Sequence, residues 1–379
     1  MTMKRILCVI LAVLFLLAPA HAVTGTPQVS APSVLLMEKT TGTILYERDA
    51  RTPYEPASVT KIMTLLLTFE ALEAGQISLD QSVTVSAYAT SMGGSQIWLK
   101  EHEQITVNEL IKAVAVVSAN DCAVALAELV AGSESAFVER MNSRAAQLGM
   151  EHTTFHNCTG LPAEGHVTTA YDIALMSRQL ILNHPNIRDY TTIWMDTLRD
   201  GTFQLSNTNK LIRFYDGATG LKTGSTDGAL YCLSATAERD GMELIAVIMH
   251  APTSDDRFES AKALLNFGFA NYGLLTVQPQ QALPPVEVLL GESEWVQPIF
   301  SESPTILMEK AQVGAVEQTV ELAPSVEAPV EPGQTLGQLI VTVDGTQVAA
   351  IPLVAGEEVA RLSIGGIFFR ILDALFCPS

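Results

Sequence analysis

Cysteine is scarce in this 379-residue chain: five residues, scattered, with no Cys-x-x-Cys pair and no Cys/His cluster. That excludes a disulfide framework and leaves zinc and other metals without a ligand set. Positive charge is scarce too. Twenty-two Lys and Arg stand against 41 Asp and Glu, a formal charge of −19. Approach to a phosphate backbone is therefore opposed, and nucleic-acid binding is not expected. No repeat of 20 to 50 residues is visible, which excludes a solenoid. His102, His152, His156 and His166 do not fall at metal-ligand spacing. What is abundant is apolar: 48% of the residues are hydrophobic, too many for a disordered chain, and the length provides for two domains.

Lys4 and Arg5 precede an apolar run from Ile6 to Ala18, followed by Pro19-Ala20-His21-Ala22. A basic start, a short apolar core and an Ala-x-Ala ending describe a secretory signal over residues 1–22, cleaved after Ala22. The run is short for a full membrane span. Export would place the protein outside the cytoplasm, so ATP and nicotinamides are not expected, and no cofactor is required.

Residues 33–49 read as a β-hairpin around Thr40-Thr41-Gly42. From Ser58 to about Gly75 the chain is apolar nearly all round, the mark of a buried central helix. Thr106-Val-Asn-Glu109 is a capping box that opens another helix. Its pattern breaks near Ser118-Ala-Asn-Asp121 and resumes to Ala131, with Gly132 as the stop. Helices are expected at about 135–148 and 170–182, strands at Leu230–Ala237 and Glu243–His250, and a closing helix at Arg257–Ala270. A hairpin, a block of helices, then strands and a last helix predict one α+β domain over 28–275 whose sheet draws on both chain ends. Pro and Gln cluster at 277–285, and residues 286–360 carry short Val-rich alternating segments, a small all-β domain. In residues 362–379, Ile364, Ile367, Phe368, Ile371, Leu375 and Phe376 share one helical face, which suits an amphipathic helix at a membrane surface.

Three short motifs carry the chemistry: Ser58-Val-Thr-Lys61, Ser118-Ala-Asn120 and Lys222-Thr-Gly224. Singly each is weak, since a chain of this length contains roughly one Ser-x-x-Lys by composition alone. Their order raises the signal. At the start of a helix, Ser58 and Lys61 share one face a turn apart. Helix N–H groups there stabilise negative charge, and a desolvated lysine can take the serine proton. Ser118 and Asn120 sit at a helix break where short polar groups can face a cleft. Lys222-Thr-Gly224 is read as preceding a strand, with Gly224 leaving a backbone edge open to an extended peptide.

In this order the motifs resemble the set of penicillin-binding proteins and serine β-lactamases. With Pro56-Ala-Ser-Val-Thr-Lys-Ile-Met-Thr64, Asn157-x-x-Gly-Leu161 and Asp216-Gly-Ala-Thr-Gly-Leu-Lys-Thr-Gly224, nearly the whole chain resembles the D-alanyl-D-alanine carboxypeptidases of the S11 serine peptidase family. The resemblance implies a penicillin-binding/β-lactamase-like domain followed by a β domain and an amphipathic terminal helix. It implies that Ser58 attacks the bond between two terminal D-alanines of a peptidoglycan stem peptide, with Lys61 as base. Ser118 and Asn120 would relay protons and hold the substrate amide. Lys222, Thr223 and Gly224 would bind the terminal carboxylate side, with Arg257 as helper. Backbone N–H groups of Ser58 and Ser225 would form the oxyanion hole. β-Lactams would be covalent inhibitors, and the setting the extracytoplasmic face of a bacterial membrane. The alternatives are a β-lactamase on the same fold, which lacks its usual Glu-x-x-Leu-Asn loop here, and a non-catalytic wall-binding or penicillin-sensing module. Cys122 and Cys232 read as small buried hydrophobes; spacing leaves open whether Cys158 pairs with either.

Overall fold

Strands β1 (Ser33–Glu38) and β2 (Ile44–Arg48) form the expected hairpin. Glu38 organises the turn, accepting the N–H groups of Thr40 and Thr41 at 2.8 and 2.7 Å. The computed structural model describes residues 25–279, 281–301 and 304–368, and the chain divides into two units at Ala270/Asn271.

In the first unit a central helix, α1 (Lys61–Glu73), has every residue from Lys61 to Phe69 buried. It has no polar face because other elements surround it, as its sequence requires. A Thr106/Glu109 capping box opens α2 (Val107–Val117), the Thr106 hydroxyl accepting the Glu109 N–H and the Glu109 carboxylate the Thr106 N–H. Ser118 then adopts the left-handed conformation (φ 63°), breaking the helix before α3 (Asn120–Ala131), which ends at Gly132. Helices α4 (Glu134–Gln147) and α5 (Ala170–Asn183) follow, each opened by a side-chain cap, Ser133 and Thr169.

Late in the unit come a small antiparallel hairpin of β3 (Met195–Leu198) and β4 (Phe203–Ser206) and the long strands β5 (Ala218–Thr226), β6 (Leu230–Arg239) and β7 (Met242–Ala251). Helix α6 (Ser254–Asn271) closes it. The main sheet is antiparallel with order β2-β1-β7-β6-β5. It joins both ends of the unit, as the α+β reading expects, and leaves β5 on an edge. One expectation needs correction. Lys222-Thr-Gly224 does not precede a strand; it lies inside β5, which pairs along its length with β6. Two glycines and a polar run hide that strand, because its order comes from its partner rather than from alternating apolar residues.

The second unit is all β. A four-stranded sheet includes Val316–Leu322, Thr335–Val343 and Thr346–Ala355, and a three-stranded one includes Val286–Leu289 and Ser325–Glu327. Its two cores are built from Val288, Val330 and Leu336, and from Leu339, Val341 and Leu353. The expected signal segment, residues 1–22, and positions 369–379 of the expected terminal helix lie outside the described residues. Among described residues Ile364 and Phe368 are exposed, and no helix is long and apolar enough to cross a membrane.

Candidate active site

Ser58 lies in a 3-10 turn, Ala57–Thr60, that runs directly into α1. The turn is held in an unusual shape: Ala57 has φ 47°, the left-handed region that a residue with a side chain seldom occupies. Two glycines press on it from opposite chain segments. A Cβ at Gly160 would stand 1.8 Å from the Ala57 carbonyl oxygen, and one at Gly224 would stand 2.8 Å from the Ser58 nitrogen. Gly224 is thus required by the close approach of β5 to the serine turn, which adds a packing reason to the open edge expected of it. Gly160 itself is set by Asn157, whose Oδ1 accepts the N–H groups of Thr159 and Gly160.

Lys61 follows one turn after Ser58 and is completely buried. Its Nζ donates to Ser58 Oγ at 2.9 Å and to the Thr159 carbonyl at 2.7 Å. Burial pushes the Lys61 ammonium down from 10.5 to about 7, against smaller opposing pulls from Cys158 and Asp121. Lys222 is also buried; loss of solvent lowers it well below the ordinary range, and the Lys61 and Arg257 charges add to the effect. Its Nζ donates to the Thr223 carbonyl at 2.9 Å. The Thr223 hydroxyl donates to Thr208 Oγ1, and the Thr208 N–H donates to the Val116 carbonyl on α2. That chain ties β5 to the helix that ends at Ser118.

Ser118 and Asn120 are nearly buried, yet Ser118 Oγ and Asn120 Oδ1 have no hydrogen-bond partner among the described residues. Unpaired buried polar atoms cost about 1–3 kcal/mol each, so they mark a place where a ligand's polar groups fit. Asn120 Nδ2 donates to the Gly93 carbonyl (2.7 Å), and its backbone N–H to the Ser95 carbonyl. Asp121, which the sequence left without a role, accepts from the Ile97, Leu99 and Cys122 N–H groups and fixes the loop before residue 100.

Arg257 reaches the site through the backbone. Its Nη1 donates to the Gly224 carbonyl (3.1 Å), and its guanidinium lies over the Tyr231 and Phe258 rings. Ser225 is exposed on the edge strand. Behind the serine turn, burial takes His166 down to about 4. Neutral, it accepts the His156 N–H at Nδ1, which leaves Nε2 to donate to Thr60 Oγ1 at 3.0 Å. Cys122, Cys158 and Cys232 are buried free thiols, which answers the pairing left open by spacing. No cluster of three or more metal-binding side chains occurs among the described residues. A cavity of about 760 Å³ lined by Phe69, Glu73, Ile77 and His184 contains none of the motif residues; those stand on the serine turn, β5 and the α2–α3 break.

A family model described as D-alanyl-D-alanine carboxypeptidase matches residues 20–253, and one for the C-terminal domain of penicillin-binding protein 5 matches 276–361. The chain is 38% identical over 372 residues to D-alanyl-D-alanine carboxypeptidase DacF of Bacillus subtilis, covering 95% of each. Penicillin-binding protein 5 of Haemophilus influenzae superposes with a TM-score of 0.78 at 30% identity, over 89% of this chain and all of that one. The ampicillin-bound form of penicillin-binding protein D2 of Listeria monocytogenes superposes with a TM-score of 0.60 at 32% identity, over 65% of this chain and all of that one.

Proposed function

Because the chain belongs to the S11 family of D-alanyl-D-alanine carboxypeptidases, and so is a penicillin-binding serine carboxypeptidase of the bacterial cell wall, we propose that Ser58 is its nucleophile and Lys61 the base that activates it. The observation that carries this assignment is the 2.9 Å contact between Lys61 Nζ and Ser58 Oγ, made by an amine whose burial leaves it half neutral near pH 7. When the amine is neutral the contact reverses, the serine O–H donating to Nζ while an amine hydrogen stays on the Thr159 carbonyl.

Attack forms a bond from Ser58 Oγ to the carbonyl carbon between the two terminal D-alanines, and the serine proton passes to Lys61. The negative oxygen falls to the Ser58 and Ser225 backbone N–H groups, each such donor worth about 3–4 kcal/mol. Gly224, by having no side chain, lets β5 close on the Ser58 nitrogen. Ser118 gives its proton to the leaving nitrogen and takes the one held by Lys61, the C–N bond breaks and D-alanine departs. Asn120 holds the substrate amide, and Lys222 and Thr223 take the terminal carboxylate. Arg257 is a positioning residue that fixes the Gly224 carbonyl. Water then cleaves the ester and releases a stem shortened by one residue. With a β-lactam the broken amide stays tethered as part of the acyl group, which blocks that exit.

Residues 1–22 direct export, 28–275 form the catalytic domain, 286–360 form a β-rich spacer or docking module, and 362–379 lie on the membrane surface. Exposure of Ile364 and Phe368 supports the last assignment. The test of the site is covalent: incubate the protein with a fluorescent penicillin, map the modified residue by mass spectrometry, and measure D-alanine release from a stem peptide. Stable label on Ser58, lost in Ser58→Ala, is expected together with D-alanine release. Label on another residue refutes the assignment. Rapid loss of label would favour a β-lactamase, and absence of both label and turnover a binding module.

A further inference from the structure

We infer that Trp98 is a stacking platform for a pyranose ring of the glycan to which the stem peptide is attached, a subsite separate from the one that holds the two D-alanines. This rests on the carboxypeptidase reading of the cleft.

Around Trp98 the chain alternates. Ile97 and Leu99 point into the core, at 0% and 5% exposure, while the indole between them stands 64% exposed. The backbone at Trp98 is left-handed (φ 54°), an unfavourable state for a bulky residue that must be held by its surroundings. It is held on both sides. The Asp121 carboxylate accepts the Ile97 and Leu99 N–H groups, and Arg199 donates to the Ile97 carbonyl at 2.9 Å and pairs with Glu103. The ring packs edge-to-face with Phe203, with centroids 5.8 Å apart at 66°. The backbone on either side of Trp98 is therefore fixed by charged side chains while most of the residue stays exposed.

The loop that carries the ring is bonded to elements on both sides of the motif residues. It is tied on one side by Asn120, which bonds the Gly93 and Ser95 carbonyls, and by Asp121. Phe203 and Arg199 belong to the β3–β4 hairpin, which runs on to Thr208 and its hydrogen bond with Thr223 on the other side. Lys100 and Glu101 follow within three positions in the chain, and Arg199 donates to the Trp98 carbonyl, so the exposed indole is one aromatic group on a polar loop, and a single ring is far smaller than a stable protein interface needs. A ring with an apolar C–H face and a hydroxyl-rich edge matches that combination. The substrate polymer supplies such rings, and a sugar ring carries no charge that a chain of net −19 would repel.

The experiment compares kcat/KM for a disaccharide-bearing stem peptide with that for the same peptide without sugar. In Trp98→Ala the ratio is expected to fall about 5- to 10-fold, the scale of one aromatic contact, and Trp98→Phe is expected to recover most of it. A ratio that stays at the wild-type value in Trp98→Ala overturns the platform. Failure of the wild-type protein to process either peptide would instead overturn the carboxypeptidase reading. As a binding readout, Ser58→Ala protein titrated with the disaccharide alone should show quenching of indole fluorescence that is lost when Trp98→Ala is added; quenching that persists also overturns the proposal.

Discussion

The pH profile of acylation is the sharpest check on the Lys61 assignment. An unperturbed lysine with a value of 10.5 would be neutral in only about 3 of 10⁴ molecules at pH 7, whereas Lys61, brought to about 7, is neutral in about half. Burial thus raises the supply of free amine on the order of 10³-fold. The second-order rate constant for a fluorescent penicillin, measured from pH 5 to 9 at fixed ionic strength, should level off above about 7.5. Below 7 it should fall tenfold per unit, reaching about 100-fold under the plateau at pH 5. Lys61→Gln should lose about 10²–10⁴ of the rate and the profile with it. Stability carries the same signature. The folded value is depressed, so between about pH 7 and 10.5 the unfolded chain binds more protons at this position, and stability should rise with pH relative to Lys61→Gln. A flat acylation profile between pH 5 and 8, or a midpoint above 9, would refute the reasoning.

Gly160→Ala should lower the melting temperature by several degrees and cut penicillin labelling at least about 100-fold, because its Cβ would fall 1.8 Å from the Ala57 carbonyl. Gly132→Ala, left-handed as well but with open space around it, should cost only about 1 kcal/mol and label normally. Deleting residues 362–379 should free the protein from anionic vesicles in a sedimentation assay while D-alanine release continues; equal pelleting of the shortened chain refutes the surface-helix assignment.

How far these features could be read in advance depended on whether their cause was local. The capping box at Thr106 and Glu109, the break at Ser118 and the all-round apolar helix after Ser58 are each written in a few neighbouring residues, and each was legible. Strand β5 was not, because Ala218–Thr226 has no apolar alternation and is ordered by pairing with β6. The Lys61–Ser58 contact followed from helical spacing, but the Thr159 carbonyl that shares the amine lies 98 positions away. Asp121 is similar: nothing around it in the chain announces that it clamps Ile97 and Leu99. Gly160 could have been noticed, since Asn157 three positions before a glycine is a turn signal, though not that the turn supports Ala57.

Lys61 and Lys222 are both fully buried, and the charge on Lys61 makes a charge on Lys222 harder to hold. A carboxylate arriving beside Lys222 would stabilise the proton there, and the ion pair so formed carries no net charge toward Lys61. The incoming peptide would then bring with it the charge that lets Lys222 hold its proton, and a ligand with no anionic terminus would leave that amine harder to charge.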